Sequence, residues 1–100
     1  MCMIYLIYGV ETKDIPADTL DKVIEEYDEK EGLVWAGEEG YQVFGIKAAE
    51  MDINYPPYSL AVKGPISRDA EIEQTKTLSR ALSGLGLTQD DCQLYVVASH

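Results

Sequence analysis

The sequence predicts an α+β domain built as a two-layer sandwich, in which two helices cover one face of a mostly antiparallel sheet. Three observations support this class. Strand-like runs alternate with two amphipathic helical patterns, no linker or repeat interrupts the chain, and 100 residues suit a single domain spanning 1–100. With 46% hydrophobic and 26% charged residues, the composition is that of an ordinary globular chain.

The chain opens with a predicted strand and a predicted helix. Residues 3–10 are rich in Ile and Tyr, which favour a strand. Pro16 suits the first turn of a helix, and Gly32 is expected to end that helix. One apolar stripe at helical spacing supports the assignment: Leu20, Val23, Ile24 and Tyr27.

Two further strands and an added one are predicted in the middle of the chain. Residues 33–36 and 41–48 flank the turn-forming sequence GEEG, which predicts a hairpin. Residues 58–63 alternate like a strand. The segment YPPY at 55–58 predicts a rigid turn, because the spacings of proline-rich recognition motifs are absent.

A second helix and a last strand complete the pattern. Ser67 is a predicted N-cap, Gly84 and Gly86 are expected to end the helix, and residues 92–98 form a strand. The inner face of this helix is predicted to carry Ile72, Thr75, Leu78, Leu82 and Leu85.

The resulting order is β-α-β-β-(β)-α-β. The most economical topology for this order is the split β-α-β, or ferredoxin-like, arrangement, in which the first and last strands pair antiparallel. This topology occurs in enzymes, sensors, RNA-binding proteins and inhibitors alike, so it does not predict a function.

Charge is distributed unevenly along the chain. The net charge is −10, and it opposes binding to nucleic acids or anionic membranes through a positive patch. Residues 1–52 carry 13 acids and 4 lysines, whereas residues 53–100 carry 5 acids and 4 basic residues. The excess of acid therefore lies in the first half, above all in the first helix and the turns that follow it.

Like charges four residues apart on that helix work against its stability. Asp21 and Glu25, and Glu25 and Glu29, form such pairs, each at a cost of about 0.2–0.5 kcal/mol. Asp18 with Lys22, and Glu26 with Lys30, are expected to neutralise each other. The face is either an ordinary solvated surface or a binding surface for lysines and arginines. The predicted partner-binding residues are Asp21, Glu25, Asp28, Glu29, Glu38 and Glu39.

Metal, cofactor and catalytic signatures are weak. A calcium-binding loop starting at Asp28 would place Glu39 twelfth, but Lys30 takes the third position and Gly32 the fifth. No phosphate-binding or dinucleotide-binding glycine motif is present, so no cofactor is expected. The only histidine, His100, is the last residue, which disfavours a His-assisted nucleophile. We therefore expect no enzymatic activity.

The cysteines and the first residues bear on location. Cys2 and Cys92 form neither a disulfide framework nor a metal motif and are expected to be reduced, partly buried thiols. The apolar run at residues 1–10 is too short to span a bilayer and lacks signal-peptide features. A cytoplasmic location is expected.

Seven tyrosines supply the other notable feature, and five fall on predicted strands: Tyr5, Tyr8, Tyr41, Tyr58 and Tyr95. A sheet covered by helices on one face has one open face, so some of these rings could form a homodimer or partner interface. Tyrosine is also simply common in sheets.

These observations favour a cytoplasmic, non-catalytic module that binds a protein partner through a basic surface of that partner. In size and charge the chain is similar to phage-encoded inhibitors of restriction and CRISPR systems, which occupy surfaces meant for nucleic acid; no motif carries that similarity. The alternative is a sheet-mediated dimeric regulatory module that senses a small molecule.

Overall fold

Five strands, two α-helices and two short 3-10 helices (Lys30–Gly32 and Gln89–Asp91) lie in the described part of the chain. The computed structural model describes residues 3–38, 40–53, 60–62 and 67–99. The elements are β1 (Met3–Glu11), α1 (Ala17–Tyr27), β2 (Leu33–Glu38), β3 (Tyr41–Asp52), β4 (Leu60–Val62), α2 (Arg68–Gly84) and β5 (Gln93–Ser99). Their order confirms the predicted α+β class.

The strands form one antiparallel sheet in the order β2-β3-β1-β5. The predicted pairing of the first and last strands is confirmed, because Met3 lies opposite Ser99 and Gly9 opposite Gln93. β4 pairs with residues 49–51 of β3 and so continues the edge formed by β2. β3 is longer than predicted, since β1 and β4 flank residues 49–51 and extend the ladder.

Both helices cover the same face of the sheet, which we call the outer face. Its core consists of Val10, Leu33 and Phe44 from the sheet, Val23 from α1, and Leu78, Ala81 and Leu82 from α2. The side chains of Phe44, Leu33 and Leu82 are completely buried. This burial of apolar surface is the main force that holds α1 and α2 against the sheet.

The face that α2 buries agrees in part with the predicted one, because Leu78, Leu82 and Leu85 lie in or against the core. Thr77 and Ala81 are buried beside Leu78, whereas Ile72 is 41% exposed and Thr75 is exposed. Ile72 is six residues before Leu78, about 240° around the helix at 100° per residue, so both cannot face the sheet. The predicted start and end of α2 agree with the structure: the Ser67 side chain caps its first turn, and the helix ends at Gly84.

The opposite face, here the inner face, is not open as the sequence predicted. Ile7, Val43 and Val97 form its core and are 0%, 0% and 2% exposed. The sheet curls over this face until Cα atoms of β2 and β5, its two edges, lie within 8 Å of each other. The curl covers the face that a flat sheet would leave to solvent.

Two paired glycines allow the curl. Gly9 of β1 lies opposite Gly45 of β3 in the middle of the sheet. A Cβ atom on Gly9 would meet the carbonyl oxygen of Phe44 and lie 2.7 Å from the Cα of Gly45. Because neither residue has a side chain, the two backbones approach closely and the sheet bends there.

Candidate partner-binding surface

The outward side of α1 is acidic. Leu20 and Val23 are buried against the sheet, and this fixes the rotation of the helix. Asp18, Asp21 and Glu25 consequently point to solvent, and all three are exposed. Their spacings of three and four residues put them on one side of the helix, with roughly 5–6 Å between neighbouring Cβ atoms.

The helix ends earlier than predicted, at Tyr27 rather than near Gly32. The N–H of Asp28 donates to the carbonyl oxygen of Ile24 at 2.9 Å, and the backbone of Asp28 is already extended. Glu29 then takes a left-handed conformation with φ 66°, and its N–H donates to the Leu33 oxygen at 2.7 Å. Asp28 and Glu29 therefore do not continue the helical row of acids.

Instead, Asp28 and Glu29 line a pocket beside β2, which we call the acidic pocket. The pocket has a volume of about 220 Å³. Its lining comes from β1, β2, β3 and the connection after α1, and consists of Tyr5, Asp28, Glu29, Val34, Trp35, Ala36 and Lys47. Two carboxylates thus share one concavity with two aromatic residues.

The one cation among these lining residues, Lys47, already has partners. Its Nζ is 3.1 Å from Oε2 of Glu50 and 5.4 Å from the centre of the Tyr5 ring. Both side chains of the ion pair are largely buried, with 26% and 21% of their surfaces exposed. Lys47 is thus paired with Glu50 and not with Asp28 or Glu29, within the described residues.

Ion pairs within the described residues do not neutralise α1. They join Lys13 to Glu11, Lys47 to Glu50 and Lys76 to Glu73. The expected pairs of Asp18 with Lys22 and Glu26 with Lys30 do not form. Lys30 instead lies over the Tyr27 ring, 5.9 Å from its centre, because the chain leaves the helix after Tyr27.

The two remaining predicted binding residues are placed only in part. Glu38 is the last residue of β2, opposite Tyr41, so its backbone lies at the end of the hairpin strand. Its side chain, and the whole of Glu39, lie outside what the structure describes. The six predicted acids therefore fall into a helix face (Asp21, Glu25), a pocket (Asp28, Glu29) and this hairpin end.

The thiol that the structure describes, Cys92, is free and partly buried. Burial, and secondarily the charge of Asp91, raise the pKa of the Cys92 thiol, which disfavours the nucleophilic thiolate. His100 and Cys2 lie outside the described residues. Over the described ranges, no cluster of three His, Cys, Asp or Glu residues could hold a metal ion. Within the same ranges, no helix has the length and apolar character needed to cross a bilayer.

Sequence reasoning missed Tyr5, Trp35 and Lys47 as neighbours of the acids. They lie on three different strands, and only the sheet order brings them to Asp28 and Glu29. One local signal pointed to an early end of the helix: the apolar stripe stops at Tyr27, two residues before Glu29 and five before Gly32.

Comparison with known proteins gives no assignment. No protein-family model, no curated protein and no solved structure matches this chain.

Proposed function

We propose that this protein is a small, non-catalytic binding module that occupies a basic surface on a protein partner, and that this surface is one the partner uses for nucleic acid. One observation carries the proposal. Asp21, Glu25, Asp28 and Glu29 are all exposed, and none is in an ion pair within the described part of the chain.

The energetics of the helix support this choice. Asp21 and Glu25 repel each other by about 0.2–0.5 kcal/mol, a cost that alternating charges would remove. A partner's lysines or arginines would relieve the repulsion on binding and would be attracted over about 8 Å at physiological ionic strength. Proteins that bind nucleic acid present such cations to phosphates.

The acidic pocket is a concave site in which a basic side chain of the partner could bind. A lysine or arginine side chain entering it would lie beside Asp28 and Glu29. Hydrogen bonds between a cation and a carboxylate are stronger than those between neutral groups. We infer that the pocket anchors one basic side chain while the α1 face supplies longer-range attraction.

The conformation of Glu29 also fits a binding role. Among the described residues it is the only one other than glycine with a positive φ. A side chain in this conformation costs about 1–2 kcal/mol relative to glycine. Such strain is found at functional sites, where the side chain is needed for another reason.

The experiment compares capture of partners from native lysate by two charge-reversed variants. The test variant changes Asp21, Glu25, Asp28 and Glu29 to lysine. The control variant makes the same change in charge elsewhere, at Asp14, Glu71, Glu73 and Asp90, which are all exposed. Captured proteins are identified by mass spectrometry.

We expect the wild type and the control to retain a basic, nucleic-acid-binding protein that the test variant loses. Adding the wild-type protein should then displace nucleic acid from that partner. Equal loss with both variants would show that only net charge matters. Equal retention by all three proteins would remove α1 and the acidic pocket from the binding surface.

A sheet-mediated dimer that senses a small molecule is the second candidate function. The burial of Ile7, Val43 and Val97 on the inner face gives it less support than partner binding has. No observation within the described residues favours small-molecule sensing over partner binding.

We also propose a topology for the sheet and a location for the protein. The antiparallel order β2-β3-β1-β5 supports a ferredoxin-like topology, to which β4 would be an addition on the β2 edge. A cytoplasmic location would suit the Cys92 thiol, which is free.

A further inference from the structure

Among the described residues that line the acidic pocket, Lys47 carries the one positive charge, and a β-bulge places it there. Lys47 lies opposite Ile7 of β1. Glu50 lies opposite Tyr5, on the same inner face. In a regular strand, residues three apart point to opposite faces, because side chains alternate. Lys47 and Glu50 share a face because the register of β1 with β3 shifts by one residue between them, at Ala48, and this allows their ion pair of 3.1 Å.

Stability alone does not account for this ion pair. The core of the inner face is apolar and consists of Ile7, Val43 and Val97. The side chains of Lys47 and Glu50 are only 26% and 21% exposed, so both charges lose much of their hydration. Replacing a buried ion pair with apolar residues is often neutral or stabilising, and bulges are over-represented beside functional sites, where they re-aim a side chain. The bulge and the pair together indicate a role in the pocket.

The charge of Lys47 opposes the entry of a cation into the acidic pocket. A sphere of about 220 Å³ is about 7.5 Å across, so a charge on the lining acts on an occupant from within about that distance. At an effective dielectric constant of about 40, one unit charge at about 7.5 Å changes the affinity for a monovalent cation about 6-fold. Asp28 and Glu29 attract the same cation, so Lys47 weakens this attraction without abolishing it.

We propose that Lys47 keeps the small cations of solution out of the acidic pocket and so reserves the pocket for a basic side chain of a protein partner; this role rests on the proposed function. A free cation binds through the pocket alone. A partner whose other lysines or arginines already contact Asp21 and Glu25 of α1 presents its next side chain at an effective concentration of about millimolar or more. The repulsion that excludes a free cation is therefore overcome by a partner that carries several cations, and Lys47 is a specificity-determining residue of the pocket.

NMR titration of the ¹⁵N-labelled protein with N-acetyl-arginine amide tests this role without the partner. The probe carries one guanidinium group and no other charge. The backbone amide signals of Asp28 and Glu29 report on the pocket. We expect weak binding by the wild type and about 6-fold tighter binding by Lys47→Met, because methionine keeps an unbranched apolar side chain without the charge.

Two further variants separate the charge of Lys47 from other effects. Lys76→Met removes the same charge from the ion pair of Lys76 with Glu73 on α2, which is 3.7 Å long, more than half exposed and outside the lining of the pocket, so its affinity should equal that of the wild type. The double variant Lys47→Met with Glu50→Gln removes one charge of each sign and should bind within about 2-fold of the wild type. A purely structural role of the Lys47 side chain would instead give both Lys47 variants the same affinity.

Circular dichroism melts establish that each variant is folded. If Lys47→Met binds the probe no more tightly than Lys76→Met does, or if the double variant binds as tightly as Lys47→Met, the role of Lys47 is overturned and the proposed function stands. If the probe moves the Asp28 and Glu29 signals in none of the four proteins, the acidic pocket does not anchor a basic side chain, and the role of Lys47 falls with it.

Discussion

Replacing Gly9 with alanine should greatly lower the free energy of unfolding of this protein. The added methyl carbon would meet the Phe44 carbonyl oxygen and lie 2.7 Å from the Cα of Gly45. Ordinary contacts between carbon atoms are about 3.5–4.0 Å, so β1 and β3 must separate locally by about 1 Å. Both glycines are buried, and no flexible side chain can move aside instead.

The magnitude follows from the ladder between the two strands. A separation of about 1 Å takes the backbone hydrogen bonds beside Gly9 out of their range of about 2.7–3.2 Å. Two buried bonds weakened in this way cost about 1–3 kcal/mol each. We expect Gly9→Ala to lower the free energy of unfolding by about 2–6 kcal/mol, a large share of the roughly 5–15 kcal/mol of a typical domain.

Urea denaturation followed by circular dichroism measures this loss, and Gly40→Ala is the control. Nothing lies within 4 Å of a Cβ on Gly40, whose φ is +89°, so the same methyl group there costs only the strain of the left-handed backbone, about 1–2 kcal/mol. Gly45→Ala should resemble Gly9→Ala, and the double variant should lose less than the sum, because both act on one contact. If Gly9→Ala costs no more than Gly40→Ala, the paired glycines do not set the curl of the sheet.

Three further predictions concern single sites. Glu29→Gly should stabilise the protein by about 1 kcal/mol in urea denaturation, because glycine adopts the left-handed backbone without strain; a loss of stability would contradict the conformation at Glu29. Ser67→Ala should cost about 1 kcal/mol, since the Ser67 hydroxyl accepts a hydrogen bond from the Ala70 N–H at 3.1 Å, and Ser67→Asp should retain most of that stability. Burial, and then Asp91, raise the pKa of Cys92, so the folded state holds the thiol proton more tightly than the unfolded state does. That stability is present below the ordinary thiol pKa of about 8.5 and is lost as pH rises through the folded value, so unfolding free energy should fall more steeply above pH 8.5 in the wild type than in Cys92→Ser, whereas parallel curves would refute the effect.

The spacing of apolar residues predicted the buried face of one helix better than that of the other. The stripe of Leu20 and Val23 predicted both α1 and the exposure of Asp21 and Glu25, because a period of 3.6 residues fixes which side chains share a side. The same reasoning was right for Leu78, Leu82 and Leu85 of α2 and wrong for Ile72 and Thr75. Thr77 and Ala81 are buried in their place, because packing on the sheet selects between stripes that differ by one or two positions.

The candidate site divides in the same way. The acids of α1 follow from the sequence, whereas the acidic pocket joins Glu29 to Tyr5 and Lys47, which lie on separate strands. Just after the end of α1, the Glu29 N–H donates to the oxygen of Leu33, the first residue of the next strand. Propensity along the helix does not contain that information.

By itself, the sequence determined the α+β class, most of the strands and helices, and the concentration of acid in the first half, because these depend on spacing and composition within short segments. Only the tertiary structure decided that the inner face is closed, that the acids divide between a helix face and a pocket, and that β5 presents Val96 to solvent at an edge. These features depend on which strands become neighbours. Gly9 and Gly45, 36 positions apart in the sequence, approach each other closely where the sheet curls, and no local pattern encodes that contact.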